Sequence, residues 1–175
     1  MPLILPIEGA SPDIHETAFI APNATIIGRV RIEAYASVWY GSVIRSEWAE
    51  VVLGEGSNLQ DNSVIHVDEG FPVRIGAGVG IGHAAIIHGA TVEDGALIGM
   101  GARLLNGSVV GAGSLIAAGA VVLEGQVIPP GSIAVGVPAK VRGEITDEGM
   151  RERVAGNADD YRRLAALHRA AGAGA

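Results

Sequence analysis

The chain has 175 residues, of which 49% are hydrophobic, and this length suits one well-buried core rather than two. Its net charge of −7 argues against binding to a phosphate backbone, so nucleic acid is not an expected partner. The absence of cysteine excludes disulfides and thiolate metal sites, which leaves nitrogen and oxygen atoms as metal ligands. The opening MPLILPIEGA is too short and too interrupted by proline for a signal peptide. No apolar run reaches the roughly 18 residues of a membrane span, so we expect a cytoplasmic protein without membrane contact.

An aliphatic residue recurs every six positions between residues 20 and 137, most clearly at Ile98, Leu104, Val110, Ile116, Val122 and Ile128. This period resembles the hexapeptide repeat of left-handed parallel β-helices, in which three hexads form one triangular coil around stacked aliphatic side chains. The alternative is a glycine-rich β-sandwich, but alternating strands rarely produce strict sixfold spacing over so many hexads. We therefore predict an all-β fold in which residues 1–145 form a left-handed β-helix after a short N-terminal lead-in.

The composition changes in the last part of the chain. Residues 147–171 favour a helix, and six of them recur at spacings of three or four, which places them on one helical face: Met150, Val154, Asn157, Tyr161, Leu164 and His168. We interpret the Met, Val and Leu side chains as packing residues. Residues 146–175 are therefore predicted to form a C-terminal helix that lies on the β-helix as part of the same domain.

Two histidines are predicted to lie side by side on the β-helix. His66 follows the inward Ile65 and His88 follows the inward Ile87, so both side chains point outward from the same face. Their separation of 22 residues equals one coil of eighteen and four extra residues, which fit a bulge at VDEGFP. The two residues then lie about 4.8 Å apart between backbones, close enough to bind one metal ion.

His83 stands one place later in its hexad and belongs to the preceding side of the triangle, so it should not reach that pair within its own chain. A second copy brings it there most simply, and a threefold assembly would contain three shared sites. Three neutral imidazoles with one open position are typical of catalytic zinc, which lowers the pKa of its bound water to roughly 7. His15 and His168 are interpreted as ordinary surface or core histidines.

Five segments carry a family resemblance: VIRSE (43–47), NLQDNSVIH (58–66), IGHAAIIHG (81–89), ALIGMGA (96–102) and the exit motif GVPAKVRG. Together they resemble the gamma-class carbonic anhydrases, although hexapeptide acyltransferases share the exit motif. The resemblance implies a homotrimer in which His66, His83 and His88 bind Zn²⁺, with Fe²⁺ or Co²⁺ as alternatives. It also implies reversible hydration of CO₂ to bicarbonate by a metal-bound hydroxide.

The resemblance assigns roles to further residues. Gln60 would hydrogen-bond the hydroxide, Asn58 would lie beside the CO₂ pocket, and Tyr161 would reach over the site. Arg45 and Asp61 would form an ion pair near the subunit interface, with a plain structural role at least as well supported as a catalytic one.

Two departures from the family pattern affect acidic residues. The usual Arg-Gly-Asp is here Arg45-Ser46-Glu47, so Glu47 replaces an aspartate at a catalytic position. In the best-known active members a long acidic loop carries a proton-shuttle glutamate. In this chain the loop is short, VDEGFP, and Asp68 and Glu69 are the remaining candidates for proton transfer.

Two other functions remain open. An acetyl-CoA-dependent acyltransferase on the same fold would use His83 or His88 as a general base without a metal. A catalytically silent homologue would bind the metal tightly, form the trimer and hydrate no CO₂.

Overall fold

The computed structural model describes residues 1–173, which contain twenty strands and one helix. In chain order these elements are β1 (Leu3–Leu5), β2 (Asp13–Ile14), β3 (Phe19–Ile20), β4 (Thr25–Ile32), β5 (Ser37–Val38), β6 (Val43–Leu53), β7 (Asn58–Leu59), β8 (Val64–His66), β9 (Val73–Ile75), β10 (Gly80–Ile81), β11 (Ile86–His88), β12 (Thr91–Val92), β13 (Leu97–Ile98), β14 (Arg103–Leu104), β15 (Val109–Val110), β16 (Leu115–Ile116), β17 (Val121–Val122), β18 (Val127–Ile128), β19 (Ser132–Val135), β20 (Lys140–Glu144) and α1 (Glu148–Ala170).

These strands build a parallel β-solenoid. One face is the row β3, β5, β7, β10, β13, β16 and β19, in which each strand pairs in parallel with the next, so that seven coils lie on one another. The second face runs from the first part of β4 through β8 and β11 to β17. The long strands β4 and β6 continue across the corner from the second face to the third. Their second parts begin the third face, which continues through β9, β12 and β15 to β18. The prediction of a parallel β-helix with one C-terminal helix is confirmed.

The interior is a column of aliphatic side chains. The register pairs Ile44 with Ile65, Ile65 with Ile87, Ile87 with Leu104, and Leu104 with Val122, and all five are fully buried. The six aliphatic residues from Ile98 to Ile128 that define the sequence period are likewise fully buried. In each strand the side chain that follows an inward aliphatic residue points outward. This alternation directs His66 and His88 away from the core, because each follows a buried isoleucine.

Three coils next to the histidines depart from the regular length of eighteen residues, and the first of them runs from Arg45 to its partner His66, 21 residues later. His66 pairs directly with His88, 22 residues later, and the extra residues form a turn closed by a bridge between Asp68 and Phe71. The next coil is shorter by one residue than the regular eighteen, because Gly80 pairs with Leu97. The bulge predicted at VDEGFP is therefore present.

The helix α1 lies against the seven-strand parallel face. Asp147 caps its N-terminus by accepting a hydrogen bond from the Met150 backbone N–H at 2.8 Å. The predicted helix is confirmed, but one of its predicted packing residues is wrong: Leu164 is 38% exposed, whereas Val154, Ala158 and Ala165 are buried. Val154 is buried as predicted, whereas the small residues Ala158 and Ala165 take the buried places next to Asn157 and Leu164. The helical segment was predicted to extend to residue 175, and its last two residues lie outside the described ones.

Within residues 1–173, the helix is too polar for a transmembrane span.

Candidate active site

His66 and His88 form a pair on the second face. They end β8 and β11, and the Nδ1 atom of His66 lies 2.9 Å from the Nε2 atom of His88. Their ring centroids are 4.9 Å apart, and both side chains are mostly shielded from solvent. The parallel register places them on successive coils, as their shared place in the hexad predicts.

The other nitrogen of His66 faces a carboxylate. Its Nε2 lies 3.3 Å from Oε2 of Glu47, whose other oxygen accepts a hydrogen bond from Arg45. Burial raises the pKa of Glu47, but the hydrogen bond and charge of Arg45 outweigh it and hold that pKa below its usual value. Burial, with the Arg45 charge, lowers the pKa of His66. At neutral pH Glu47 is therefore ionised and His66 neutral, which is the protonation state of a metal-binding imidazole.

The other nitrogen of His88 faces an amide. Its Nδ1 lies 2.9 Å from Oδ1 of Asn106, and Nδ2 of Asn106 donates to Oδ2 of Asp68 at 2.8 Å. The Asp68 carboxylate itself is 4.0 Å from His88 Nδ1. Asn106 was not predicted from the sequence.

His83 lies apart from this pair, in the turn between β10 and β11. Its Nδ1 is 2.9 Å from Oδ2 of Asp61, and its Nε2 is 3.3 Å from the hydroxyl oxygen of Tyr161 on α1. Burial raises the pKa of Tyr161, and the Asp61 charge adds to this effect, so the phenol keeps its proton at neutral pH. An aspartate behind Nδ1 orients the imidazole with Nε2 toward the tyrosine.

Two buried amides complete the surroundings of His83. Gln60 donates from Nε2 to Oδ1 of Asn58 at 2.9 Å, and Asn58 donates from Nδ2 to Oδ1 of Asn157 at 3.1 Å. Gln60, His83 and Tyr161 line a cavity of about 550 Å³ between the solenoid and α1. Leu97, Ile98, Met100, Leu115 and Met150 give this cavity apolar walls.

The predicted site residues therefore divide into two half-sites within one chain. The pair half-site contains the predicted His66, His88, Glu47 and Asp68 together with Asn106, which was not predicted. The cavity half-site contains His83, Asp61, Tyr161, Gln60 and Asn58. Each half-site holds part of a three-histidine set, and neither holds all of it.

The pair half-site fits a divalent metal ion. Because Glu47 and Asn106 present acceptor oxygens to the outer nitrogens of His66 and His88, those nitrogens favour carrying the protons. The inner nitrogens then point two lone pairs at each other across 2.9 Å, which calls for a cation or a shared proton between them. Metal–nitrogen bonds of about 2.0 to 2.1 Å span that separation. His66, Asp68 and His88 also place ligand atoms within 4.8 Å of one another.

Other predicted residues lie in less expected places. Among the described residues, Arg45 pairs with Glu47 and Asp61 pairs with His83, so Arg45 and Asp61 form no ion pair with each other within the described chain. Glu69 is exposed at the tip of the turn. Trp48, which the sequence did not single out, places its ring 6.1 Å from that of His66.

Comparison with known proteins identifies the family of the chain. Residues 89–124 match the family model described as bacterial transferase hexapeptide (six repeats). The chain is 41% identical over 164 residues to gamma carbonic anhydrase 2, mitochondrial, of Arabidopsis thaliana, covering 90% of this chain and 59% of that protein. It is 47% identical over 150 residues to the carbonic anhydrase of Geobacillus kaustophilus, covering 86% of this chain and 82% of that protein. The chain belongs to the gamma-class carbonic anhydrase family.

Members of the gamma class differ in length around this shared part. The chain spans 59% of the Arabidopsis relative but 82% of the bacterial one. Among solved structures, a hexapeptide transferase family protein from Anaplasma phagocytophilum superposes with a TM-score of 0.91 at 37% identity, covering 95% of this chain and 98% of that one. The fold of the chain is thus shared with a protein that is named as a member of a transferase family.

Proposed function

We propose that this gamma-class chain hydrates CO₂ reversibly to bicarbonate at a metal ion that His66 and His88 of one copy and His83 of the next hold together. Zn²⁺ is the proposed native ion, and Fe²⁺ or Co²⁺ would fit the same nitrogen ligands. One observation carries the proposal: Nδ1 of His66 and Nε2 of His88 lie 2.9 Å apart. The other nitrogen of each ring faces an acceptor oxygen, from Glu47 and Asn106 respectively. The carbonic anhydrase names of the relatives agree with it.

The chain's own residues have separable tasks. When bound, the metal supplies an acidified water as a nucleophile at neutral pH. Asp61 holds the His83 ring through Nδ1, so Nε2 stays available as a ligand. The amide of Gln60 is fixed through Asn58, which orients its oxygen as an acceptor at the cavity wall. Tyr161, protonated at neutral pH, closes this wall as a hydrogen-bond donor, and the apolar walls suit uncharged CO₂.

Glu47 and Asp68 have different prospects as proton acceptors. Glu47 is tied to Arg45 and has a lowered pKa, so it is a weak base suited to holding His66. The Asp68 side chain is 43% exposed, so its carboxylate can exchange protons between the pair half-site and solvent. Asp68 is thus a better candidate for proton transfer than Glu47, and the exposed Glu69 lies beside it in the same short loop.

The threefold assembly is part of the proposal. On the second face the outward side chains beside the histidines are Val43, Val64 and Ile86, which form an aliphatic row in register. An aliphatic row next to incomplete metal ligands favours contact with another copy of the chain rather than with water. A cytoplasmic location stays a prediction, since the Arabidopsis relative is named as mitochondrial.

The acyltransferase alternative explains less of this geometry. An acyltransferase needs only one histidine as a general base. That mechanism does not explain why the His66 and His88 imidazoles face each other. Binding of acetyl-CoA to metal-free protein separates the two functions.

The proposed reaction is tested by stopped-flow CO₂ hydration with protein loaded with Zn²⁺, Co²⁺ or Fe²⁺. We expect a metal-dependent rate in the native chain and its loss, together with the metal, in His88→Ala. His15→Ala is the matched control, because the His15 side chain is exposed and hydrogen-bonds to the neighbouring Thr17, and it should keep both metal and rate. A native chain that binds metal but shows no rate above buffer with any of the three ions would reject CO₂ hydration.

A further inference from the structure

Asn106 bridges a metal-ligand candidate and a carboxylate. It lies on the coil after His88, two residues past the inward Leu104, and its side-chain amide is held at both ends. Its oxygen is 2.9 Å from His88 Nδ1, and its nitrogen is 2.8 Å from Asp68 Oδ2.

The carboxylate decides which way the amide points. The NH₂ group of Asn106 donates to a carboxylate oxygen of Asp68, so the amide oxygen of Asn106 faces His88. An amide oxygen is only an acceptor, so the His88 nitrogen that faces it, Nδ1, is the one that carries a proton. Its Nε2 then bears the lone pair directed at His66.

The backbone around His88 is shaped to admit this amide. Gly89 has a φ of +57°, and a Cβ added there would lie 2.2 Å from Oδ1 of Asn106 and 2.7 Å from the Cβ of Phe71. Phe71 also covers Gly107, and it closes the turn that carries Asp68. A glycine directly after His88 therefore leaves space that Asn106 and the turn occupy.

We propose that Asn106 is a positioning residue that, together with Asp68, fixes the Nδ1–H tautomer and the ring orientation of His88 for metal binding. This inference rests on the proposed function, because it assigns His88 to the metal. It adds a residue that the hexad pattern alone does not mark, and it gives the bulged turn at residues 68–71 a task in the site. Groups that orient a ligand imidazole in this way typically contribute 10- to 100-fold to metal affinity.

The test measures Co²⁺ affinity of the full chain by competition with a chromophoric chelator. In parallel, ¹H–¹⁵N spectra of the metal-free protein report the tautomer of His88. Asn106→Leu keeps the size of the side chain and removes both hydrogen bonds, and we expect about 10- to 100-fold weaker Co²⁺ binding with loss of the pure Nδ1–H tautomer. Asn106→Asp combined with Asp68→Asn exchanges the two partners and keeps both hydrogen bonds, so it should restore affinity and tautomer.

Glu124→Gln is the matched control, because Glu124 is exposed and holds the corresponding place one coil further along; it should change neither readout. Unchanged affinity and tautomer in Asn106→Leu would overturn the positioning role and leave the proposed function standing. An exchanged pair that folds but stays as weak as Asn106→Leu would also overturn it. A native chain that takes up no Co²⁺ would overturn the proposed function as well.

Discussion

Each of the three site histidines has an oxygen acceptor behind the nitrogen that would not bind metal. Glu47 faces His66, Asn106 faces His88 and Asp61 faces His83. Such partners fix the ring and its tautomer, and they raise the basicity of the ligand nitrogen. The three acceptors differ in kind, so their removal should have different consequences.

Asp61 provides the clearest prediction among them. It was expected to pair with Arg45 across an interface, whereas within one chain it contacts His83 Nδ1 at 2.9 Å. If orienting His83 is its main task, Asp61→Asn should lower metal affinity by about 10- to 100-fold and leave the assembly intact. Chelator competition and native mass spectrometry measure these two quantities.

Asp13→Asn is the control for that change, because Asp13 is exposed on β2 at another face and should affect neither quantity. Dissociation of the assembly in Asp61→Asn, with unchanged metal affinity of the remaining oligomer, would assign Asp61 to a subunit ion pair instead.

The sequence predicts some of these residues better than others. His66 and His88 directly follow inward aliphatic residues, so the hexad alone fixes their direction. Asn106 lies one place later, near a corner, and its partner Asp68 comes from an irregular turn on another coil. That contact depends on how the turn folds back over Gly89 and Gly107, which no periodicity encodes.

At the scale of elements, the coils and the helix obey different packing rules. Sixfold spacing predicts the inward side chains of the coils, because parallel pairing repeats the same register from one coil to the next. The helix has no such template. Its buried residues include Ala158 and Ala165, which let it approach the coils closely, and the larger Leu164 faces outward. The prediction from hydrophobicity that Leu164 is a packing residue is therefore wrong.

His168 anchors the end of the helix. Its Nδ1 lies 2.7 Å from the hydroxyl oxygen of Tyr40, and its ring meets the Trp39 ring edge-on at 5.0 Å. We expect His168→Ala to lower the free energy of unfolding by about 1 to 3 kcal/mol, because both contacts are lost. Denaturant unfolding of the metal-free protein measures this change.

Leu167→Ala is the neighbouring control, since Leu167 is 65% exposed and should change the free energy of unfolding by less than about 0.5 kcal/mol. Loss of metal in His168→Ala without loss of stability would contradict the structural role and make this histidine a member of the site.

At the scale of the whole molecule, one chain carries both halves of the proposed metal site but does not bring them together. The pair half-site lies on the second face, and the cavity half-site lies between the solenoid and α1. In the proposed assembly, a closed threefold ring would join the pair half-site of each copy to the cavity half-site of its neighbour and would complete three sites with one kind of contact. The sequence predicts this separation because His83 falls one place later in its hexad than His66 and His88 do.

Mixing two inactive variants tests the shared site most directly. His83→Ala and His88→Ala should each lose metal while keeping their thermal unfolding. When they are unfolded together in equal amounts and refolded, about three quarters of closed trimers are mixed, and each has one intact site in three. Metal analysis of the refolded mixture should therefore return to about a quarter of the native content. A mixture that regains no metal, although mass spectrometry shows mixed trimers, would contradict a metal site shared between subunits.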